Sequence, residues 1–469
     1  MSLRALWWFL AIALPVLAAL IAKLSTVDLA YQLRAGGEIL ASGRIPTTDT
    51  WTFTMQGQPW VDQQWGAQVI LWIVESIGGW IGLAVFRAAL VGAIFGMTAL
   101  IAARRGLDAR TAAIVSLLAF VVAAPALALR PQLFGMLCFI AVLLLLIDRR
   151  DHPQRLWLVP VIVAVWANLH GSFFLGPLVL GLAWLEDVHD RRADARRTLI
   201  AAGLSAVAAC LTPTGPLVWV YAAGLSSNPS VTARITEWQP TSLRDVPGLL
   251  FFASALAIAL LIGRSGRRIP WPTLAWLGVF FVIGAYAQRG VAWWPIAAVA
   301  ATAGTLIPAI RSRARTETLT MRRLNALMAG VLVLACVVAL PSGRSPLPGA
   351  LVSTELASPA PPGLTASVRD LARPGDRLLN PQAWGSWFEY ALPGVQVAVD
   401  SRIEMISPRV WETYEGILAG QDGWQRELEA WGVTHIMVEA DQAAFRDRLR
   451  AAGWRAVYED ADGVLLIPG

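Results

Sequence analysis

Long apolar runs separated by short polar gaps dominate this chain, and from the N-terminus to about residue 341 the gaps alternate between arginine-rich and arginine-poor. A helix needs about 20 apolar residues to cross a bilayer core roughly 30 Å thick. On that measure spans are expected at 3–23, 81–103, 111–129, 132–147, 156–169, 171–187, 198–213, 247–263, 271–287, 291–310 and 324–341. The shorter runs are marginal alone, and close pairs such as 111–129 and 132–147 make sense as membrane hairpins. The gaps at 104–110, 148–155, 186–197, 264–268 and 311–323 carry three, three, four, three and five arginines. The positive-inside rule places such gaps on the cytoplasmic face. The intervening gaps hold Arg130, His170 to Ser172, residues 214–246 and Gln288 to Gly290, and are expected to face outward. The fold class expected is an α-helical polytopic membrane protein of about eleven spans, with its C-terminus outside.

Composition agrees: 56% of residues are hydrophobic and 15% charged, with a mean hydropathy of +0.56, more apolar than a soluble globule of this length requires. The net charge of +6 is not a nucleic-acid footprint, because it divides sharply along the chain. Residues 342–469 hold 11 Arg and 17 acids, a balance of −6, which leaves +12 for the remainder. That excess belongs mostly to gaps expected to face anionic lipid, so membrane lipids are expected partners and nucleic acid is not. Cys138, Cys210 and Cys336 all fall within expected spans, and no disulfide framework or zinc spacing exists. Neither a metal nor a cofactor is expected. Residues 1–23 begin with Arg4 and an apolar run but lack a small-residue cleavage site before Lys23, so they read as a retained first helix.

Two outward regions exceed simple turns. Residues 24–64 form a loop of the length that is usually functional or disordered. Tyr31, Trp51, Trp60 and Trp65 argue against disorder, and an amphipathic helix fits 28–41. Residues 65–79 are read as an interfacial helix, because a further span would place the Arg-rich 104–110 gap outside. After a Pro/Ser/Gly-rich linker, strands near 377–380, 395–400, 434–439, 454–459 and 463–467 alternate with helices at 384–391, 408–418, 423–431 and 441–452. This pattern fits a small extracytoplasmic α/β layer domain. No glycine-rich phosphate loop opens any of its helices. The expected domains are therefore 1–341 as the transmembrane part, including outward loop 24–80, a linker at 342–363 and the α/β domain at 364–469.

Several residues on the outward side carry chemistry. Asp28 follows the first span, and a partly desolvated carboxylate near a hydroxyl can act as a general base; capping of the next helix is the equally weighted plain reading. Asp49, in Ile45-Pro46-Thr47-Thr48-Asp49, is explained locally as a turn residue. Arg130 and Arg289 present planar forks that match phosphate oxygens, against snorkelling to ordinary headgroups. Arg87 falls within a span, where an ionisable group is functional or paired. His170, in Trp166-Ala167-Asn168-Leu169-His170-Gly171-Ser172, can donate to a pyrophosphate or sugar oxygen or close its hairpin with a structural hydrogen bond. Glu237 beside Trp238 pairs a carboxylate with an aromatic face, as a sugar ring requires, although belt anchoring explains the tryptophan equally well. Asp400-Ser401-Arg402-Ile403-Glu404 ends a strand, and an internal ion pair is its plainer account.

Asp28 in a long first loop after the first span, the paired spans that follow, the C-terminal extracytoplasmic domain, and the stretch Gly43-Arg44-Ile45-Pro46-Thr47-Thr48-Asp49 together resemble the GT-C superfamily of polytopic glycosyltransferases, in an uncharacterised bacterial branch. The likeness covers nearly the full chain in architecture, with modest motif content. It implies transfer of a sugar from a polyprenyl-phosphate-linked donor to an extracytoplasmic glycan, lipid or protein acceptor at the bacterial cytoplasmic membrane. It maps the first-loop catalytic acid onto Asp28 and leaves Arg130, His170, Glu237, Arg289 and Asp49 as substrate or donor-phosphate residues. Asp28 lacks the acidic neighbour many members carry, and no Trp-Trp-Asp signature is present, which disfavours the metal-dependent variant. The competing classes are a non-catalytic envelope scaffold and a transporter; against the latter, no internal repeat is visible.

Overall fold

The structure, a computed structural model, describes all residues except 25, 267, 307–316 and 341–360, and the side chain of residue 226. Most of the linker expected at 342–363 therefore lies outside the described residues, as do the end of the 291–310 span and Arg311, Arg313 and Arg315. The chain divides into two compact units, one of Met1–Ala22 with Ala84–Leu340 and another of Lys23–Leu83 with Pro341–Gly469. This grouping differs from the boundary drawn from sequence. The first loop packs with the C-terminal α/β segment, because its partners there include charged and aromatic side chains more than 340 residues away.

The first unit is helical throughout. Among the described residues seven helices are long and apolar enough to cross a membrane: Leu3–Ile21, Trp65–Arg104, Ala109–Ala126, Pro131–Arg150, Gly171–His189, Val246–Arg264 and Leu319–Val338. The other four expected spans correspond to shorter helices, Leu158–Leu169, Ala195–Ala208, Trp271–Tyr286 and Trp294–Thr302. Large aliphatic side chains stand exposed along the helices, among them Leu118, Val207, Leu256 and Val331. Such surface is stable in lipid and would be a liability in water. The molecule is an integral membrane protein.

Local chemistry explains the helix junctions. The 65–79 helix and the 81–103 span are two helices that meet at a kink at Gly79, whose φ of +58° only glycine adopts readily. Gly92 and Gly96 let the first helix approach closely: a Cβ at Gly92 would lie 2.6 Å from Val16 Cγ2, and one at Gly96 3.0 Å from Ile12 Cγ1. This small-xxx-small spacing brings apolar helices together where no hydrophobic force acts between them. Arg87 donates through Nη2 to the carbonyls of Ala19 and Ala22, each at 2.5 Å. It satisfies acceptors left over at the end of the first helix, a structural duty. Arg149, in an Arg-rich gap, is buried against Asp187 and Glu186, and Thr198 Oγ1 donates to Asp187 at 2.7 Å.

In the second unit a five-stranded sheet runs in the order β2-β1-β3-β5-β4, with β1 at Arg377–Leu379, β2 at Gln396–Val397, β3 at His435–Glu439, β4 at Trp454–Glu459 and β5 at Gly463–Pro468. β1 pairs parallel with β2 and β3, while β5 runs antiparallel to β3 and β4. All five strands coincide with expected ones. Buried Val, Ile and Leu on β3 and β5 form the sheet's core. The first loop supplies the helix Leu29–Ser42, closed by Gly43 in the left-handed region. It also adds to the sheet edge, where Thr52 bridges Val397 in parallel and the Phe53 amide donates to the Val397 carbonyl at 3.1 Å.

Candidate functional site

In the first unit four residues singled out from sequence come together at helix ends. Arg130 precedes Pro131, whose fixed φ starts the helix Pro131–Ile147. His170 joins the helix Leu158–Leu169 to the 3-10 turn Gly171–Phe174. Glu237 lies on the 3-10 turn Thr236–Trp238, and Arg289 on the 3-10 turn Gln288–Ala292. Arg130 forms an ion pair with Glu237. Arg289 lies over the Trp238 ring, 5.4 Å from its centroid, and its Nη2 stands 3.4 Å from His170 Nε2. Gln132 reaches the Arg289 carbonyl at 3.4 Å.

His170 is fixed from behind. Its Nδ1 is 2.7 Å from Ser172 Oγ, which also accepts from Trp166 Nε1 at 3.1 Å. A side chain at Gly135 would lie 2.7 Å from the same oxygen, so the neighbouring helix must present a glycine there. Burial, then the Arg289 charge, holds His170 well below the usual imidazole range. The ring is therefore neutral at physiological pH; its Nδ1 accepts from the Ser172 amide at 3.2 Å, and its Nε2 faces the Arg289 guanidinium. The structural hydrogen bond expected as one reading of His170 is present.

Arg130, Glu237 and Arg289 border a cavity of about 170 Å³, lined also by Gln132, Gln288, Val122, Ala126 and Pro247. The helix Val246–Arg264, whose Pro247 lines this cavity, continues along an apolar groove of about 420 Å³, bounded by Phe252, Leu256, Ile262, Phe281 and Trp294. Trp294 Nε1 donates to Ser254 Oγ at 2.9 Å and so fixes the upper wall. A polar cavity with two guanidinium groups thus opens beside a groove with almost no polar surface.

The second unit holds the other two. Asp28 sits at the N-terminal boundary of Leu29–Ser42 with φ −84° and ψ −24°, and its side chain makes no capping bond, so the capping account fails. Asp49 is fully buried. It accepts from Thr52 N at 3.0 Å and Thr52 Oγ1 at 2.6 Å and from Arg402 Nη2 at 2.7 Å. A buried carboxylate with its oxygens engaged cannot hold an anionic phosphate, so Asp49 is a structural anchor instead of a substrate ligand. Arg402 also bonds Asp400, with Nε at 2.7 Å, has Glu389 Oε1 at 3.6 Å, and lies between the Trp51 and Trp60 rings at 4.3 and 4.6 Å. The ion pair expected within Asp400-Ser401-Arg402 is present and extends to the first loop. Burial, then the Asp400 charge, raises Glu389 well above the carboxylate range.

Two acids near Asp28 went unselected from sequence. Asp62 is buried, accepts from Gln68 Nε2 at 2.7 Å, and is pushed up to about 7 mainly by desolvation. Glu404 is pushed up to about 7 by burial and by the charges of Asp400 and Asp28. Glu404 lay within a segment read as purely structural, and Asp62 was one acid among several in its loop. Flanking Trp60 and Trp65, which mark the 60–65 stretch as buried, were the available signal for Asp62. Among the described residues no three His, Cys, Asp or Glu side chains are grouped to hold a metal ion.

An apolar helical bundle with charged groups at the helix ends, joined to a small mixed α/β sheet domain, defines a polytopic membrane protein with the fold of the GT-C glycosyltransferases. No family model and no curated protein matches the chain. Among solved structures it is similar to the oligosaccharyltransferase AglB of Archaeoglobus fulgidus in complex with an inhibitory peptide and a dolichol-phosphate, at 13% identity and a TM-score of 0.58 over 100% of this chain and 75% of that one. It is also similar to the mycobacterial arabinofuranosyltransferase AftD, at 17% and 0.58 over 100% and 42%. ArnT from Cupriavidus metallidurans bound to undecaprenyl phosphate matches at 16% and 0.52 over 98% and 97%. At these identities the likeness is one of fold.

Proposed function

We propose that the protein is a glycosyltransferase of the bacterial cytoplasmic membrane, with Arg-rich gaps and N-terminus inside, that moves a sugar from a polyprenyl-phosphate-linked donor to an extracytoplasmic acceptor. The observation carrying this reading is the cavity bordered by Arg130 and Arg289 beside an apolar groove. A lipid phosphate needs both, a cationic end and a path for its hydrocarbon tail. Arg289, stacked on Trp238 and met by a neutral His170, is directed by its neighbours without being neutralised by them. Glu237 restrains Arg130 and offers a carboxylate beside an aromatic ring, suited to a sugar hydroxyl. As phosphate departs, guanidinium groups already in position stabilise the growing negative charge.

Asp28 is the proposed general base, taking the proton of the acceptor hydroxyl as that oxygen attacks the anomeric carbon and the lipid phosphate leaves. One attack on one carbon inverts its configuration. The fold supports this chemistry by analogy, since AglB is described with a dolichol-phosphate and ArnT with undecaprenyl phosphate.

The test uses the full chain in nanodiscs with undecaprenyl phosphate as probe. Arg289→Ala is expected to weaken binding by at least tenfold while leaving the thermal transition in place. Asp28→Asn is expected to bind the probe normally and to lose sugar transfer. Undiminished binding in Arg289→Ala would sink the phosphate assignment, and full transfer by Asp28→Asn the base assignment.

A further inference from the structure

Buried hydrogen-bond acceptors gather in the second unit without the donors they call for. Asp62 is 8% exposed and its Oδ2 meets no donor, although Oδ1 receives Gln68 Nε2. Gln32 and Gln68 are each 1% exposed, and the Oε1 of each is likewise unpartnered. Turning the Gln68 amide over would only set its oxygen against Asp62. Tyr31 ties the group together: it hydrogen-bonds Gln32 and is acted on by the charges of Asp28, Glu404 and Asp62. Asp28, Tyr31 and Glu404, though mostly buried, each keep some exposed surface. Buried polar groups in native proteins nearly always find a partner, and three orphaned acceptors beside two carboxyl groups call for a donor-rich, positively charged one.

The neighbouring cation does not fill that need. Arg402 acts on both Asp62 and Glu404 but already pairs with Asp49 and Asp400. Asp28 and Asp400, which also act on the cluster, are acids. We propose that Asp62, Glu404 and the side-chain oxygens of Gln32 and Gln68 form a binding site for a ligand carrying a primary ammonium group on a hydroxyl-bearing frame. Only in calling that ligand the acceptor does the proposal rest on the transferase reading. An ammonium group supplies three donors and one positive charge, and the hydroxyls supply donors to the amide oxygens.

Both carboxyl groups are pushed up to about 7 by burial, so at lower pH the ligand must displace their protons. Affinity is expected to rise with pH from 6 to 8, by up to about tenfold per carboxyl group. The experiment uses the full chain in nanodiscs of zwitterionic lipid. Two probes, 2-aminoethyl glucoside and 2-hydroxyethyl glucoside, are compared by saturation-transfer NMR at pH 6 and pH 8. The aminated probe is expected to bind at least tenfold more tightly than its neutral twin at pH 8. Its advantage should shrink at pH 6 and fall in both Asp62→Asn and Glu404→Gln, with thermal melts showing each variant folded. Equal binding of the two probes, binding of neither, or binding indifferent to both substitutions would overturn the proposal. Neither probe experiment needs a sugar donor. If the aminated probe binds and no transfer is found, the site stands and the transferase reading fails. If transfer is found to a neutral acceptor and the aminated probe does not bind, the reading stands and the site fails.

Discussion

Replacing Arg402 by methionine tests how the first loop is held to the sheet. The side chain is fully buried, bonded to Asp49 and Asp400, near Glu389, and flanked by two tryptophan rings. Methionine keeps much of the volume and the aromatic contact but leaves Asp49 and Asp400 facing each other without a cation. Breaking a buried ion pair by removing one partner costs about 3–5 kcal/mol, and lost cation–π attraction at a desolvated site adds about 2. At about 2–4 °C per kcal/mol for a unit of this size, the transition should fall by roughly 10–25 °C. Intrinsic tryptophan fluorescence during a thermal ramp in nanodiscs reads this directly, because Trp51 and Trp60 line the guanidinium. Glu389→Gln is the control: burial already keeps that carboxyl neutral, so the amide should cost less than about 1 kcal/mol, the scale of one ordinary hydrogen bond. Equal losses from the two substitutions, or a loss below about 1 kcal/mol for Arg402→Met, would refute the account of Arg402 as the charge that neutralises this core.

Asp62→Asn should be stabilising at pH 5 and more strongly so at pH 8, with no effect only below about pH 3.8. The folded pKa of about 7 lies above the ordinary 3.8, so the folded state holds the extra proton and stability falls as pH rises between those values, by on the order of 4 kcal/mol; a pH series of melts checks the sign. Gly92→Leu drives a side chain into Val16 and Ile12 and should cost about 1–3 kcal/mol, seen as a lowered melting point with a cysteine-reactive dye. Arg87→Met strands the Ala19 and Ala22 carbonyls and should cost about 1–3 kcal/mol in the same assay, whereas undecaprenyl phosphate binding should persist.

Features with a local physical signature were readable in the sequence. The β strands and the Leu29–Ser42 helix followed from periodicity and turn residues, and the membrane helices from apolar length. Arg130, His170, Glu237 and Arg289 were selectable because each stands at the end of an apolar run in an arginine-poor gap. Long-range pairing left no such mark. Asp49 looked like a turn residue and is indeed bonded to Thr52, but its partner Arg402 lies 353 positions away. No periodicity encodes that distance, and for the same reason the first loop was grouped with the helices instead of the α/β segment. The short helices at 158–169 and 294–302 show a second limit: apolar composition continues past residues where proline, glycine and 3-10 turns end the helix.

The bond from Asp49 to Arg402 also sets a timetable. The first loop leaves the ribosome 353 residues ahead of the arginine that completes it, and at 5–20 residues per second the interval is roughly 18–70 s. For that period Trp51, Trp60 and Asp49 lack their guanidinium and the strand edge at Val397 does not yet exist. The first loop must therefore survive as an unfinished half while nearly all the membrane helices are inserted, and its last step of folding is gated by synthesis of the C-terminal segment. A chain stopped before residue 402 would carry a nearly complete helical unit beside a loop that cannot close.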